Sequence, residues 1–288
     1  VLNALTGIPL EWGIILAAIV VVIYTMTGGI IAVAYTDVAQ LGLMIFALFV
    51  MLPIVVTAAG GLDTIFATVP EENLTLFAAG EDVVWGWVMA VLPGQMVLQI
   101  YHQRIYSAKS VKVAKQGLYN LAFSCVLAGL WASLLGMAVF TLNPDLPDKE
   151  QAMMWAIMEF LPQGVALLVL AAVAAAIVST ADSALHSASA SITREFYQVL
   201  FKPNASDENV LRFSKICIVI LGILGVAIGL YVPVVFKVLV MGYTLTSAGL
   251  LFPLFLGRIW SGATGLGALC GMVAGVSSVL LFTFIPDL

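Results

Sequence analysis

Charge is what this chain has least of. Of 288 residues, 16 are acidic and 11 basic, 9% together, where a soluble domain carries about 25%. That shortage excludes a soluble globular protein, because 62% of the residues are hydrophobic and lipid must be their main solvent. The net charge of −5 says little about partners; what matters is where each sign sits. Histidine and cysteine are scarce too, with 2 and 3 copies. Cys125, Cys217 and Cys270 are scattered in apolar runs without CxxC or metal-ligand spacing, and they read as small hydrophobes rather than disulfides or a redox site. No nucleophile–base pair, phosphate loop or metal motif is found, so the expectation is no enzyme, no cofactor and no nucleic-acid partner. Initiator Met and signal peptide are both lacking. The chain opens on Val1 and reads as a fragment or a trimmed chain. With no linker, low-complexity tract or soluble module, residues 1–288 are expected to form a single transmembrane domain.

What is present is a series of apolar runs. A bilayer-crossing helix needs about 20 largely apolar residues, and eight runs qualify: 12–28, 38–58, 83–105, 117–141, 162–188, 208–231, 234–257 and 262–285. Breaks fall at Gly28-Gly29, Gly60-Gly61, 143–150, Pro203-Asn204 and Pro233. The expected fold class is an all-α polytopic membrane protein. Basic residues cluster in alternate loops: Arg104, Lys109, Lys112 and Lys115, then Arg194, Lys202, Arg212 and Lys215, then Arg258. The loops between are acidic, with Asp63, Glu71, Glu72, Glu81 and Asp82 in one and Asp145, Asp148 and Glu150 in another. The positive-inside rule then places the basic loops in the cytoplasm and both chain ends outside. The expected location is the plasma (inner) membrane. Asn73-Leu74-Thr75 is a formal glycosylation sequon on the outer side.

Three spans carry polarity that lipid does not explain. The fifth contains AAIVSTADSALHSASASIT. On a helix Ala176, Ser179, Thr180, Ser183 and Ser187 form one stripe, behind an alanine run that allows close approach of another helix. Such hydroxyls serve either as interhelical glue and back-bonds to the preceding turn, or, with a freed carbonyl, as half of an oxygen cage for a small hard cation. Asp182 lies about 100° off that stripe, and a structural or gating role suits it better than direct ligation. The third span has Pro93-Gly94 at its middle. This is either a simple proline kink or a discontinuous helix whose exposed ends bind solute. Gln95 and Gln99, four apart, would share its face. Trp85 and Trp87 suit the outer aromatic belt. In the second span Asp37 and Gln40 lie at the cytoplasmic mouth, where Thr36 or Asp37 caps a helix start, faces an ion path, or does both. His102 and His186 read as structural.

GGIIAVAYTDVAQ (28–40) and VSTADSALHSASASITREFYQ (178–198) resemble the signatures of the sodium:solute symporter family, and GQMVLQIYHQRIYSAKS (94–110) is similar to its choline-transporter-like branch. LLFPLFLGRIW with GALCGMVAGVSSVL is a weaker match. The resemblance implies an inverted-repeat, leucine-transporter-like core, incomplete at the N-terminus. The eight spans would be core helices four to ten plus one extra C-terminal helix. It implies a sodium site at Ala176 (carbonyl), Ser179 and Thr180 (hydroxyls), and a second cation site or ion exit at Asp37 and Ser183. It further implies a solute site at the second broken helix, placed at Pro93-Gly94, drawing on Trp87, Pro93, Gly94, Gln95 and Gln99.

The function that follows is sodium-coupled symport of a small polar organic solute by alternating access, with sodium as coupling ion. The alternatives are a transporter-like sensor domain and proton coupling through Asp37 or Asp182. The family's first broken helix is not in this sequence, so the chain by itself is not expected to transport. Leu98 stands where choline-type members carry an aromatic. Because a quaternary ammonium seeks aromatic faces, choline is one candidate beside amino acids, carboxylates and other small polar solutes.

Overall fold

The computed structural model describes residues 7–231 and 235–285. The expectations at Val1, at the Pro233 break and at the outward terminus Asp287-Leu288 lie outside the described residues. Within them all regular structure is helical: α1 (Leu10–Ala58), α2 (Leu62–Thr68), α3 (Glu81–Val97), α4 (Gln99–Tyr106), α5 (Val111–Leu142), α6 (Ala152–Phe160), α7 (Gln163–Ser191), α8 (Asp207–Tyr231), α9 (Val235–Ile259) and α10 (Gly265–Phe284). Eight segments among the described residues are long and apolar enough to cross a membrane. Each matches one expected span to within a few residues, except that the fifth runs on to Phe201. The chain is an integral membrane protein.

At 49 residues, α1 would be about 74 Å long if straight, far more than a hydrocarbon core of about 30 Å. It contains two spans, Leu10–Thr27 and Val33–Ala58. Tyr24 Oη hydrogen-bonds Thr36 Oγ1, although twelve residues of straight helix would hold them about 18 Å apart. The helix therefore bends between them. Its far end is stopped by Gly60 and Gly61, whose φ values of 87° and 90° belong to the left-handed region that glycine tolerates best.

The chain divides into two compact units. The larger comprises Val1–Leu74 and Ala108–Leu230. Its core is an apolar stripe of α1 (Ala47, Met51, Val55) laid against a stripe of α7 (Ala166, Val169, Leu170), with Ala138 of α5 and Ile157 of α6 completing it. Apolar association of this kind rests on close packing of small and shape-matched side chains rather than on escape from water. Trp131 Nε1 donates to Leu48 O at 3.0 Å, tying α5 to α1. The nine residues of α6 are too few to cross a bilayer, yet Ala156 and Ile157 are fully buried. The first half of α1 runs antiparallel to α8. Ile14 is the neighbour at Gly229, and a β-carbon at Gly222 would overlap the Val22 side chain.

One expectation is corrected here. The fifth run, expected to end at residue 188, does not give way to a loop there. Helical structure continues beyond α7 as a π-helix over Ile192–Phe201, and Ser187, Ser189 and Thr193 are buried. Ser189 Oγ donates to Ser214 O at 2.8 Å, and the Tyr197 and Phe213 rings stack at 4.3 Å. A polar residue bound to a neighbouring helix is indistinguishable in sequence from one that faces water.

The smaller unit comprises Thr75–Ser107 and Tyr231–Leu288. Here α3 and α9 run parallel, since Trp87 meets Phe236 and, further on, Gly94 meets Tyr243. Helices α9 and α10 run antiparallel, with Gly249 at Val276 and Pro253 at Gly271. A side chain at Gly275 would overlap the Ala248 carbonyl. Gly271 and Gly275 thus form a small-xxx-small crossing with backbones in contact.

Candidate functional site

In the larger unit, α7 brings together the three groups expected to hold a cation. Ser179 Oγ donates to Ala176 O at 3.0 Å and Thr180 Oγ1 donates to the same oxygen at 2.9 Å. The helical spacings i+3 and i+4 cause this, because both hydroxyls rise over the preceding turn. Ala176 O thus accepts from both hydroxyls, and each hydroxyl oxygen keeps lone pairs free. This is the back-bonded arrangement of helical Ser and Thr, and it gathers the three expected oxygens on one turn of α7. Thr180 is exposed and Ser179 half-buried. The face is open for further ligands.

One turn on, the polarity is sealed. Asp182 is 0% exposed and Ser183 8%, and Ser183 Oγ donates to Asp182 Oδ1 at 3.3 Å. A carboxylate taken out of both water and lipid is costly unless it is bonded. His186, one turn further, shares the Asp182 face by its i+4 spacing. Asp37 and Gln40 are half-buried on α1. Among the described residues Gln40 Oε1 is buried without a hydrogen-bond partner.

In the smaller unit the solute-site expectation is redrawn. The helix does not break at Pro93-Gly94: Pro93 lies inside α3. The break is at Leu98, whose φ of −68° and ψ of 122° are extended. Proline inside a membrane helix is tolerated because neighbours satisfy the freed carbonyl, so its presence does not locate the break. With Leu98 between them, Gln95 and Gln99 do not share one helix face, and Gln99 is exposed at the start of α4. Gln95 instead turns to α9, where its Nε2 donates to Tyr243 Oη at 2.9 Å. Gln95 Oε1 is buried with no partner among the described residues, leaving an acceptor for a donor-bearing ligand. Gly94 is buried against Tyr243. Trp87 packs edge-on against Phe236 at 5.2 Å.

Sequence reasoning missed Tyr243 and Phe236. Nothing in the apolar period of span seven separates them from lipid-facing aromatics. The GYTLTSAG stretch around Tyr243, rich in glycine and hydroxyls at mid-span, is the signal that could have pointed to a packed polar face. No group of three or more histidine, cysteine or carboxylate side chains able to hold a metal ion is found among the described residues.

The comparisons with known proteins bear on the family and the fold. The family model described as "Sodium:solute symporter family" matches residues 1–275. The human high affinity choline transporter 1 is 27% identical over 292 residues, which cover 96% of this chain and 50% of the transporter. The sodium/glucose cotransporter of Vibrio parahaemolyticus is also 27% identical, over 322 residues covering 99% of this chain and 59% of the cotransporter. The chain thus spans about half the length of these relatives. In fold it is similar to a Na+-coupled sialic acid symporter solved in a substrate-bound outward-open state. The TM-score is 0.72 at 21% identity, over 98% of this chain and 69% of that one. With a leucine-transporter-like fold and a family match along nearly its whole length, the chain belongs to the sodium:solute symporter family.

Proposed function

We propose that the protein carries out sodium-coupled symport of a small polar organic solute by alternating access, and that this chain is its transport domain, built from core helices four to ten and one further helix. The observation that carries the reading is the convergence of Ser179 Oγ and Thr180 Oγ1 on Ala176 O, at 3.0 and 2.9 Å on one turn of α7. Sodium is the coupling ion and is itself transported. Asp37 and Ser183 serve a second cation or the ion's exit. Trp87, Pro93, Gly94, Gln95 and Gln99 border the solute, with Gln95 as direct contact and Pro93 and Gly94 shaping the backbone. The solutes in the relatives' names, choline, glucose and sialic acid, differ in net charge and have little in common beyond a hydroxyl group. That variety supports a solute class and not a single solute. Binding of sodium favours the state whose cage it completes, and each charge moved inward is driven by about 2.3 kcal/mol per 100 mV of membrane potential. The basic loops face the cytoplasm, the acidic loops and both chain ends face outward, and the membrane is the plasma (inner) membrane.

The test is Ser179→Ala with Thr180→Ala in the full-length protein reconstituted in vesicles. Losing two hydroxyl ligands to a charge should lower apparent sodium affinity by tenfold or more, since one such bond is worth about 1.5–3 kcal/mol and 1.4 kcal/mol is about tenfold. Unchanged sodium dependence would remove the site. Full burial of Asp182 favours a second reading, proton coupling through that carboxylate. Uptake driven by a pH gradient without sodium, and lost in Asp182→Asn, would establish it in place of the first.

A further inference from the structure

The break at Leu98 leaves backbone groups without helical partners, and the structure bridges them with one side chain. Leu98 N turns back to Gln95 O at 3.4 Å, and Tyr101 N and His102 N both reach Leu98 O, at 3.2 and 3.5 Å. The Met96 carbonyl, which in an unbroken helix would accept from the amide of residue 100, instead bonds His102 Nε2 at 3.0 Å. A carbonyl only accepts, so Nε2 carries the hydrogen and donates. The His102 ring lies 6.1 Å from the Tyr106 ring one turn on, at 31°. That contact helps to hold the plane of the imidazole.

We propose that His102 is a positioning residue that latches the second half of this broken helix to the first and so sets the angle between α3 and α4. Within this unit the end of α3 is already fixed to α9 through Gly94 and Gln95 on Tyr243. The latch extends that fixed point across the break. It keeps α4 in register with the face that carries Gln95, and it withholds the Met96 carbonyl from other donors. An imidazole is suited to the task because its donor stands at the end of a short, stiff side chain with two rotatable bonds, so little freedom is lost in making the bond. Its consequence for solute binding rests on the symport reading above; its consequence for the helix angle does not.

The experiment separates the two. Spin labels are placed at Met89 on α3 and Arg104 on α4, both exposed, in full-length protein lacking Cys125, Cys217 and Cys270. Their distance distribution is measured in vesicles without sodium or solute. His102→Gln, which keeps an amide donor at the same reach, should retain a single narrow distribution. His102→Leu, and His102→Asn with its shorter reach, should broaden or split it. In sodium-driven uptake by unlabelled protein, His102→Leu should raise the half-saturating solute concentration about three- to tenfold, the span of one lost hydrogen bond, and His102→Gln should restore it. The proposal is overturned if the Leu or Asn variant keeps the narrow distribution, or if the Gln variant broadens as much as Leu. Absence of uptake in the unsubstituted protein would sink the symport reading and leave the distances to decide the latch.

Discussion

A methyl group added at Gly94 would sit 2.9 Å from Tyr243 O and 3.1 Å from Tyr243 Cβ, so one hydrogen atom in place of a side chain lets α3 and α9 touch. Gly86, on the same helix, has nothing within 4 Å of the same position. Gly94→Ala should therefore cost about 1–3 kcal/mol, the range for overpacking, whereas Gly86→Ala should be neutral or mildly stabilising through helix propensity. Thermal denaturation of the two purified variants compares them directly, and equal melting temperatures would mean α9 yields freely at this point. The sequence marks both glycines alike, because a close approach is a property of the neighbour. By contrast Ser179 and Thr180 were legible, since their partner is their own preceding turn and the i+3 and i+4 spacing alone brings them to Ala176.

Helix by helix, the long apolar runs were placed correctly, whereas the end of the fifth, the break in α3 and the short α6 were not. Proline suggested where α3 would break, but the extended residue is Leu98. It follows that Pro93→Ala should leave the break at Leu98 intact and lower solute uptake less than a Gln95 variant does. An uptake defect as large as that of a Gln95 variant would return Pro93 to the centre of the site. The nine-residue α6 escaped notice because length is the criterion for a span, and burial of a short helix depends on what lies beneath it. Ile157, 0% exposed in the shared core, should lose about 2–5 kcal/mol on Ile157→Ala. A denaturation midpoint unmoved by that change would show that α6 is loosely docked.

For the whole molecule, the alternation of loop charge makes a prediction about sidedness. The acidic stretch after α2 and the short turn between Phe201 and Asp207 should lie on opposite faces of the membrane. Ala79→Cys and Asn204→Cys, both at exposed positions, should react with a membrane-impermeant maleimide from opposite sides, Ala79→Cys from outside and Asn204→Cys from the cytoplasm. Labelling of both from one side would break the topology. The relative directions of packed helices already agree with the alternation inside each unit. The first half of α1 is antiparallel to α8, α3 is parallel to α9, and α9 is antiparallel to α10.

The sequence alone determined that lipid is the solvent, that eight spans cross it, which loops carry which sign, and that one helix presents two hydroxyls beside a carbonyl. Each of these is a local sum or a helical spacing, complete within about twenty residues. Only the tertiary structure decided that Gln95 faces Tyr243 rather than Gln99, that Asp182 and the later serines are buried, and that a histidine closes the break at Leu98. Those facts depend on which helix lies alongside and how closely. Packing between residues some 150 positions apart, such as Gln95 and Tyr243 with their sequence separation of 148, leaves no period in the chain.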